Sequence, residues 1–402
     1  MSSLSFHRHK LDHLSLVMGR HVDRGHVPGL VYLVARAGEV HIEALGTLEV
    51  HGKVPMERDT LFRIASLTKP VAAVAAMILV EECILRLDAP LDNWLPELAE
   101  RKVLRKIDGP LDATVPAHRS ITLRDLLTLR MGLGHIMEPC DDWPIRQLLN
   151  ECGLLLGPPQ PQSLPSVDEW MTRVGSLPLM YQPGERWLYD LGMDILGVLI
   201  ARATGRPLGQ FLAERVFAPL GMKDTGFHVP AESLHRLAGC YAGGDVTDEL
   251  VPYDLPAGSQ WATPPLFPSA AGGLVSTVED YHRFCHMLLA QGQLPDGGSL
   301  ISRAAVETMT TDQLTVAQRT APDVFFGDSR SWGLGLGVCI HRDDLCATPG
   351  RFGWDGGLGT SAYTDPKEGL IGILMTQRLM DSPEPPALFS DFWTGTYQAL
   401  SD

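Results

Sequence analysis

Arg63-Ile64-Ala65-Ser66-Leu67-Thr68-Lys69-Pro70, running directly into the apolar residues 71–80, is the stretch that organises the rest of the chain. Ser66 and Lys69 are three residues apart, so in a helix that begins here both side chains rise from one face, a turn from each other. Pro70 does not argue against that helix. Within the first turn the N–H that proline lacks has no intrahelical acceptor in any case. Residues 71–80 are Val, Ala, Met, Ile and Leu only, with no polar stripe, which predicts a helix buried on all sides. Lys69 is then rooted in the core, where desolvation disfavours the ammonium and lowers its pKa. A lysine that is neutral near pH 7 can take a proton from the Ser66 hydroxyl. The competing reading is a surface helix start with Ser66 as N-cap and Lys69 in solvent, and the rest of the chain decides between the two.

Composition narrows the options. A 402-residue chain with 45% hydrophobic content, 40 Gly and 30 Pro is globular and long enough for one elaborate domain or two intimately packed ones. The net charge of −15 argues against nucleic-acid binding and against docking on an anionic membrane, and leaves a small uncharged substrate, or none, as the expectation. Cys83, Cys140, Cys152, Cys240, Cys285, Cys339 and Cys346 form an odd set with no Cys-x-x-Cys pair, and read as mostly buried thiols of a reducing compartment. No apolar region follows the basic residues of the first ten positions, and no run approaches a membrane span, so the expected location is cytoplasmic.

Along the chain, residues 6–24 read as an amphipathic helix ending before Gly25, and residues 30–35 and 40–44 as the strands of a tight hairpin. Thr122 reads as the N-cap of a short helix that stops at Gly132, and residues 138–166, rich in Pro, Gly and Gln, as a loop that either shapes a pocket or merely connects. Pro183-Gly184-Glu185 is a turn that leads through Trp187-Leu188-Tyr189-Asp190 into an apolar helix stopped by Gly205, so Tyr189 sits just before a helix N-terminus. A second helix covers about 207–218, and residues 228–268 are loop-rich. Thr277 caps an amphipathic helix over 278–290. Residues 332–340, 359–365 and 370–377 read as strands, with a closing helix from near Pro386. His9 with His13, and His282 with His286, have helical spacing, but a solvated pair is the better reading and no metal site is expected. Strands at both ends with helices between them predict an α/β fold: an antiparallel sheet flanked by helices and formed from both chain ends, plus an inserted, mainly helical domain. The expected division is 1–65 with 275–402 for the α/β sandwich and 66–274 for the helical domain, with the active site at the junction.

With these pieces placed, the chain resembles the serine β-lactamase and penicillin-binding-protein superfamily, and within it the class C-like carboxylesterases of the family VIII type. Four segments carry the resemblance in order: residues 62–69 around Ser66 and Lys69; Ile121-Thr122-Leu123-Arg124-Asp125-Leu126-Leu127-Thr128 to Gly132-Leu133; residues 183–189, ending in Tyr189; and the Gly272-Gly273 run to Asp280. The resemblance implies the β-lactamase/transpeptidase-like fold, a catalytic set of Ser66, Lys69 and Tyr189, and an oxyanion hole from the backbone N–H groups of Ser66 and Gly357. No cofactor or metal is implied.

Two departures bear on the substrate. Lactamases of this class carry Tyr-x-Asn, whose amide binds the acylamide of a lactam; Leu191 occupies that position and cannot make the bond. The Lys-Thr-Gly or His-Thr-Gly motif, which offers a cation to a substrate carboxylate, is absent, since the only lysine after Lys223 is Lys367, in a turn. Trp354-Asp355-Gly356-Gly357 stands in its place and resembles the Trp-x-Gly of carboxylesterases, with Trp354 and Gly356 as substrate-binding positions. The register Arg351-Phe352-Gly353 competes with it and retains a positive charge. An indole wall suits an ester better than a carboxylate, whose burial without a cation is costly. The expected activity is cleavage of a small-molecule carboxylic ester through an acyl-enzyme on Ser66, with Lys69 and Tyr189 moving the proton and either of them as base. A β-lactamase or DD-peptidase-like amide hydrolase, an acyltransferase of the same fold, and a catalytically silent binding module are the alternatives. No Gly-x-Ser-x-Gly is present, which removes an α/β-hydrolase nucleophile elbow.

Overall fold

A computed structural model describes residues 5–135, 140, 142–244, 249–319 and 323–401. After helix α1 (Arg8–Asp23), strands β1 (Gly29–Arg36) and β2 (Glu39–Gly46) form the hairpin. Its two-residue turn has Ala37 and Gly38 both at positive φ, 50° and 86°, the twist that joins adjacent antiparallel strands. Five more strands come from the other end of the chain: β3 (Arg330–Trp332), β4 (Gly337–Cys339), β5 (Phe352–Gly356), β6 (Thr360–Asp365) and β7 (Leu370–Thr376). They join the hairpin in one seven-stranded antiparallel sheet, ordered β2-β1-β7-β6-β5-β4-β3.

The side-chain period of two explains why β1 and β7 are apolar throughout. Leu30, Tyr32, Val34, Leu370 and Leu374 pack on one face with Leu11 and Leu14 of α1 and with Phe389 and Phe392 of a C-terminal helix, Ala387–Gln398. Val31, Leu33, Ile371, Ile373 and Met375 face the other way, into a larger core shared with Val278, Tyr281 and Phe284.

That core continues into the helices of the middle of the chain. Helix α2 (Thr68–Glu81) buries every residue from Thr68 to Leu79, including Lys69, and is entered through a 3₁₀ turn over Ala65–Leu67, with Pro70 as its third residue. Helix α3 (Leu123–Leu127) has the expected Thr122 cap, completed by Asp125 as a capping box, and ends earlier than Gly132. The stretch 138–166 is not one loop. Helix α4 (Pro144–Glu151) interrupts it, because Ile145 and Leu149, one turn apart, find core contacts and Pro144 suits a first turn; residues 138, 139 and 141 lie outside the described residues, as do 1–4 of the N-terminal stretch and 245–248 of the loop-rich segment. Helix α5 (Val167–Ser176) precedes α6 (Leu191–Thr204), which starts two residues after Tyr189 and ends on left-handed Gly205. Helix α7 (Val278–Leu289) has Thr277 as its cap. The stretch read as one strand over 332–340 is two, β3 and β4, because Gly333 and Gly335 let the chain reverse between Trp332 and Gly337.

Among the described residues no helix is long and apolar enough to cross a membrane, and no group of His, Cys, Asp and Glu is arranged to hold a metal ion. Cys83, Cys152, Cys240, Cys285, Cys339 and Cys346 are free thiols.

Candidate active site

The nucleophile turn is pinned from several directions. The Ile64 N–H donates to the Leu274 carbonyl and the Leu274 N–H to Thr68 Oγ1, while residues 62–63 pair with 275–276. The Tyr281 hydroxyl donates to the Leu67 carbonyl at 2.9 Å and the Thr360 hydroxyl to the Ile64 carbonyl at 3.0 Å. Inside this clamp Ala65 takes a φ of 44°, a left-handed value that costs a non-glycine residue about 1–2 kcal/mol. Such a strained residue persists because its surroundings over-determine it, and it turns Ser66 out of the core.

Ser66 Oγ lies 2.8 Å from Lys69 Nζ and 2.9 Å from the Tyr189 hydroxyl. The lysine is fully buried, and its ammonium also donates to the Ala271 carbonyl at 2.7 Å and stands 2.5 Å from Asp190 Oδ1. The Trp354 indole N–H donates to the Tyr189 oxygen at 2.8 Å. The structure thus brings Ser66, Lys69, Tyr189 and Trp354 into one cluster, with Trp354 both a wall and a hydrogen-bond donor. Rings of Phe325, Trp187 and Trp354 surround the phenol, with centroids 5.2–6.0 Å from it.

The expectation of a largely uncharged Lys69 is overturned. Burial alone pushes its pKa down, but the Asp190 carboxylate and the nearby Tyr189 outweigh burial, and the net direction is upward. Desolvation by itself gives the downward direction, and the Asp190 counter-ion reverses it. Tyr189 is also raised, first by burial and partly offset by Lys69. Asp194, one helical turn beyond Asp190, accepts from the Ser269 hydroxyl at 2.7 Å and from the Ala271 N–H at 3.0 Å; burial and then Asp190 raise it to about 7. His135 is buried and pushed down to about 4 by desolvation. Its Nδ1 accepts from the Leu156 N–H at 3.0 Å, and its own backbone pairs with that of Tyr189.

Ser66, Tyr189, Trp354, Asp190, Asp194 and His135 line a cavity of about 620 Å³, within the size range of small-molecule sites, and Lys69 lies beneath its surface. Leu154, Leu156, Leu164, Trp170, Leu191 and Phe325 make its apolar wall, so much of the 138–166 stretch shapes the pocket. Gly357 lines it beside Ser66. Gly356 is not among the lining residues: it is buried behind the nucleophile turn, where an added Cβ would meet the Ile64 carbonyl oxygen at 2.5 Å. The competing register is settled against a charge at this position. Arg351 is buried on the opposite face of the sheet, its guanidinium 4.0 Å from the ring centroids of Tyr363 and Trp393. The cavity does have a cation, Arg330 on β3, with no carboxylate within ion-pair distance among the described residues.

Sequence reasoning missed Asp190, Asp194, His135 and Arg330. Asp190 had a signal, an acid adjoining the tyrosine, and Asp194 follows from it by helical spacing. His135 and Arg330 reach the cavity through long-range packing that no local pattern encodes.

Comparisons with known proteins bear on the family and the fold. Protein Rv1367c of Mycobacterium tuberculosis (strain H37Rv) is 39% identical over 370 residues, covering 89% of this chain and 88% of its own length. Esterase EstB of Burkholderia gladioli is 32% identical over 382 residues, covering 89% and 88%. The solved structure of EstCE1, described as a hydrolase with promiscuous acyltransferase activity, superposes with a TM-score of 0.78 at 24% identity, covering 97% of this chain and 99% of its own. The Beta-lactamase family model matches residues 15–388, and a match of that extent over a Ser-x-x-Lys turn set against an antiparallel sheet places the chain in the β-lactamase family of serine hydrolases and acyltransferases.

Proposed function

We propose that the protein is a carboxylesterase-type serine hydrolase that cleaves a small-molecule ester through an acyl-enzyme on Ser66. The observation that carries this reading is the Ser66 hydroxyl within hydrogen-bond reach of both Lys69 Nζ and the Tyr189 hydroxyl at the wall of an apolar cavity. Ser66 Oγ attacks the ester carbonyl, its proton enters the Lys69–Tyr189 set, and that set returns a proton to the departing alcohol. Water repeats the sequence to release the acid. The backbone N–H groups of Ser66 and Gly357 receive the developing oxyanion. Leu191 where a lactamase has its asparagine, and the Trp354 indole where it has a cation, favour an ester over a lactam. The EstB relative, named an esterase, points the same way.

The test is turnover of p-nitrophenyl butyrate beside nitrocefin. Ester turnover that Ser66→Ala abolishes, with little nitrocefin turnover, supports the reading; ester turnover retained by Ser66→Ala refutes it. Acyl transfer is the second reading, favoured by a cavity roomy and apolar enough for an acyl group and an acceptor together, and by the transferase activity described for EstCE1. An added alcohol acceptor that appears as its ester among the products, in preference to free acid, identifies it.

A further inference from the structure

Resting on that functional reading, we propose that His135 is a specificity-determining residue: its Nε2–H is a fixed, neutral hydrogen-bond donor on the cavity wall, and the ester this site takes carries a second acceptor oxygen, beyond the scissile group, to meet it. The residue is held from two sides. Its backbone N–H donates to the Tyr189 carbonyl, which ties it to the segment that delivers the phenol. Gly134 makes that approach possible, since a Cβ there would meet the Leu188 carbonyl oxygen at 2.7 Å and the Tyr189 carbonyl oxygen at 2.8 Å. On the ring itself, Nδ1 accepts from the Leu156 N–H at 3.0 Å.

That contact fixes the tautomer. A backbone amide can only donate, so Nδ1 is the unprotonated nitrogen and the proton of the neutral ring sits on Nε2. A protonated ring would set two donors against each other across 3.0 Å, and burial, which pushes the group down to about 4, acts in the same direction. Nε2 makes no hydrogen bond among the described residues, and it is not sealed from the cavity that His135 lines.

Carboxylates elsewhere on the cavity wall are committed to the protein. Asp194 accepts from the Ser269 hydroxyl and the Ala271 N–H, and Asp355 from the Ser361 hydroxyl at 2.5 Å and the Tyr363 hydroxyl at 3.0 Å. Asp190, whose field reaches the ring, is ion-paired with Lys69 and makes no hydrogen bond to Nε2. A buried donor left unpaired costs free energy that apolar neighbours such as Leu154, Leu156 and Leu191 do not offset, whereas a ligand oxygen does. A site that keeps such a donor favours the ester that pairs it over the analogue with a methylene in the same place. The neutral ring adds no positive charge and Asp190 disfavours an anion beside it, so the acceptor that suits it is an uncharged oxygen of the acyl chain or of the alcohol.

The experiment measures, for wild type, His135→Asn and His135→Gln, the ratio of kcat/KM for an ether ester to that for its methylene isostere. One arm places the oxygen in the acid: p-nitrophenyl methoxyacetate against butyrate, and 3-methoxypropanoate against pentanoate. The other places it in the alcohol: 2-methoxyethyl against butyl butyrate, and 3-methoxypropyl against pentyl butyrate. Only the change of each ratio from wild type to variant is read, so the intrinsic reactivity of the esters cancels. Asparagine keeps an acceptor where Nδ1 stood and ends short of Nε2, whereas glutamine puts an amide N–H at the Nε2 position. The expected result is a ratio lowered about 3–10-fold by asparagine in one arm and held within about twofold of wild type by glutamine. Ratios within about twofold of one another in all three proteins, for every pair, overturn the inference. A loss in glutamine that asparagine escapes also overturns it, because the effect then lies in the Leu156 contact. Should the asparagine variant not fold, nitrogen-15 NMR of histidine-labelled wild type carries the test, with His135→Gln marking the resonance: a proton on Nε2 with Nδ1 bare supports the inference, and a proton on Nδ1 overturns it. Wild type that cleaves no ester in either arm, and whose Ser66 takes no fluorophosphonate label, defeats the functional reading itself, a result distinct from an active wild type whose ratios ignore His135.

Discussion

At the scale of single residues, the site is built from short contacts around Ser66. Lys69 Nζ donates to Ser66 Oγ and to the Ala271 carbonyl and is ion-paired with Asp190, and the Tyr189 oxygen receives the Trp354 N–H. That donor is the indole's contribution to chemistry as distinct from its contribution to shape. Trp354→Phe keeps the ring wall and removes the N–H, a hydrogen bond whose loss costs about 1–3 kcal/mol in a buried setting. The account predicts a fall of about 10–100-fold in kcat for p-nitrophenyl butyrate with a smaller change in KM, measured by steady-state kinetics. A change confined to KM would return Trp354 to the role of a wall. Ser66 and Lys69 could be paired from the spacing of a helix start, whereas Tyr189 and Trp354 were singled out through the family resemblance of the segments that carry them. Lys69's charge was not legible, because its sign is decided by Asp190, more than a hundred positions away in the chain, and desolvation taken alone gives the opposite answer.

At the scale of elements, the 3₁₀ turn and the end of β5 are pressed together, and Gly356 is the residue that allows it. A Cβ there would lie 2.2 Å from Thr360 Oγ1 and 2.5 Å from the Ile64 carbonyl oxygen, in the middle of the hydrogen bond that holds the turn. Gly356→Ala is therefore expected to destabilise by about 1–3 kcal/mol, seen as a lower denaturation midpoint, and to depress kcat by displacing Ser66. An alanine variant of wild-type stability and activity would show that the turn can yield. The hairpin, the buried helix and the capped helices at Thr122 and Thr277 could be read from period and caps, since those signals are local. Helix α4 could not, because Pro and Gly on both sides of residues 144–151 dominate the composition while the burial of Ile145 and Leu149 depends on partners far along the chain. The β3–β4 reversal was hidden for the converse reason: the Gly and Leu alternation of 332–340 imitates a single strand.

At the scale of the whole molecule, the sheet that closes the two chain ends together also carries one wall of the cavity, so fold and site share their stability. Buried titratable groups record this. Asp194 has a folded value near 7 against 3.8 for an ordinary aspartate, so between about pH 4 and 7 the folded chain holds a proton that the unfolded chain has lost, and stability falls as pH rises through that window. His135, pushed down to about 4 from 6.5, acts with the opposite sign: stability is lost as pH falls from about 6.5 to 4, where the unfolded chain takes up the proton first. The two trends oppose each other in wild type, and the difference between wild type and Asp194→Asn separates them. Urea midpoints compared at pH 5 and pH 8 should show wild type losing more stability than Asp194→Asn on going alkaline; equal changes would mean that Asp194 is ionised in the fold throughout.

The central claim is that Ser66 carries the acyl group, and acid quenching during steady-state turnover of p-nitrophenyl butyrate, followed by peptide mass mapping, tests it most directly. The account predicts a butyryl adduct on the peptide containing Ser66, absent from Ser66→Ala and longer-lived where water is the poorer acceptor. Turnover with the adduct on another residue, or turnover unchanged in Ser66→Ala, would contradict it.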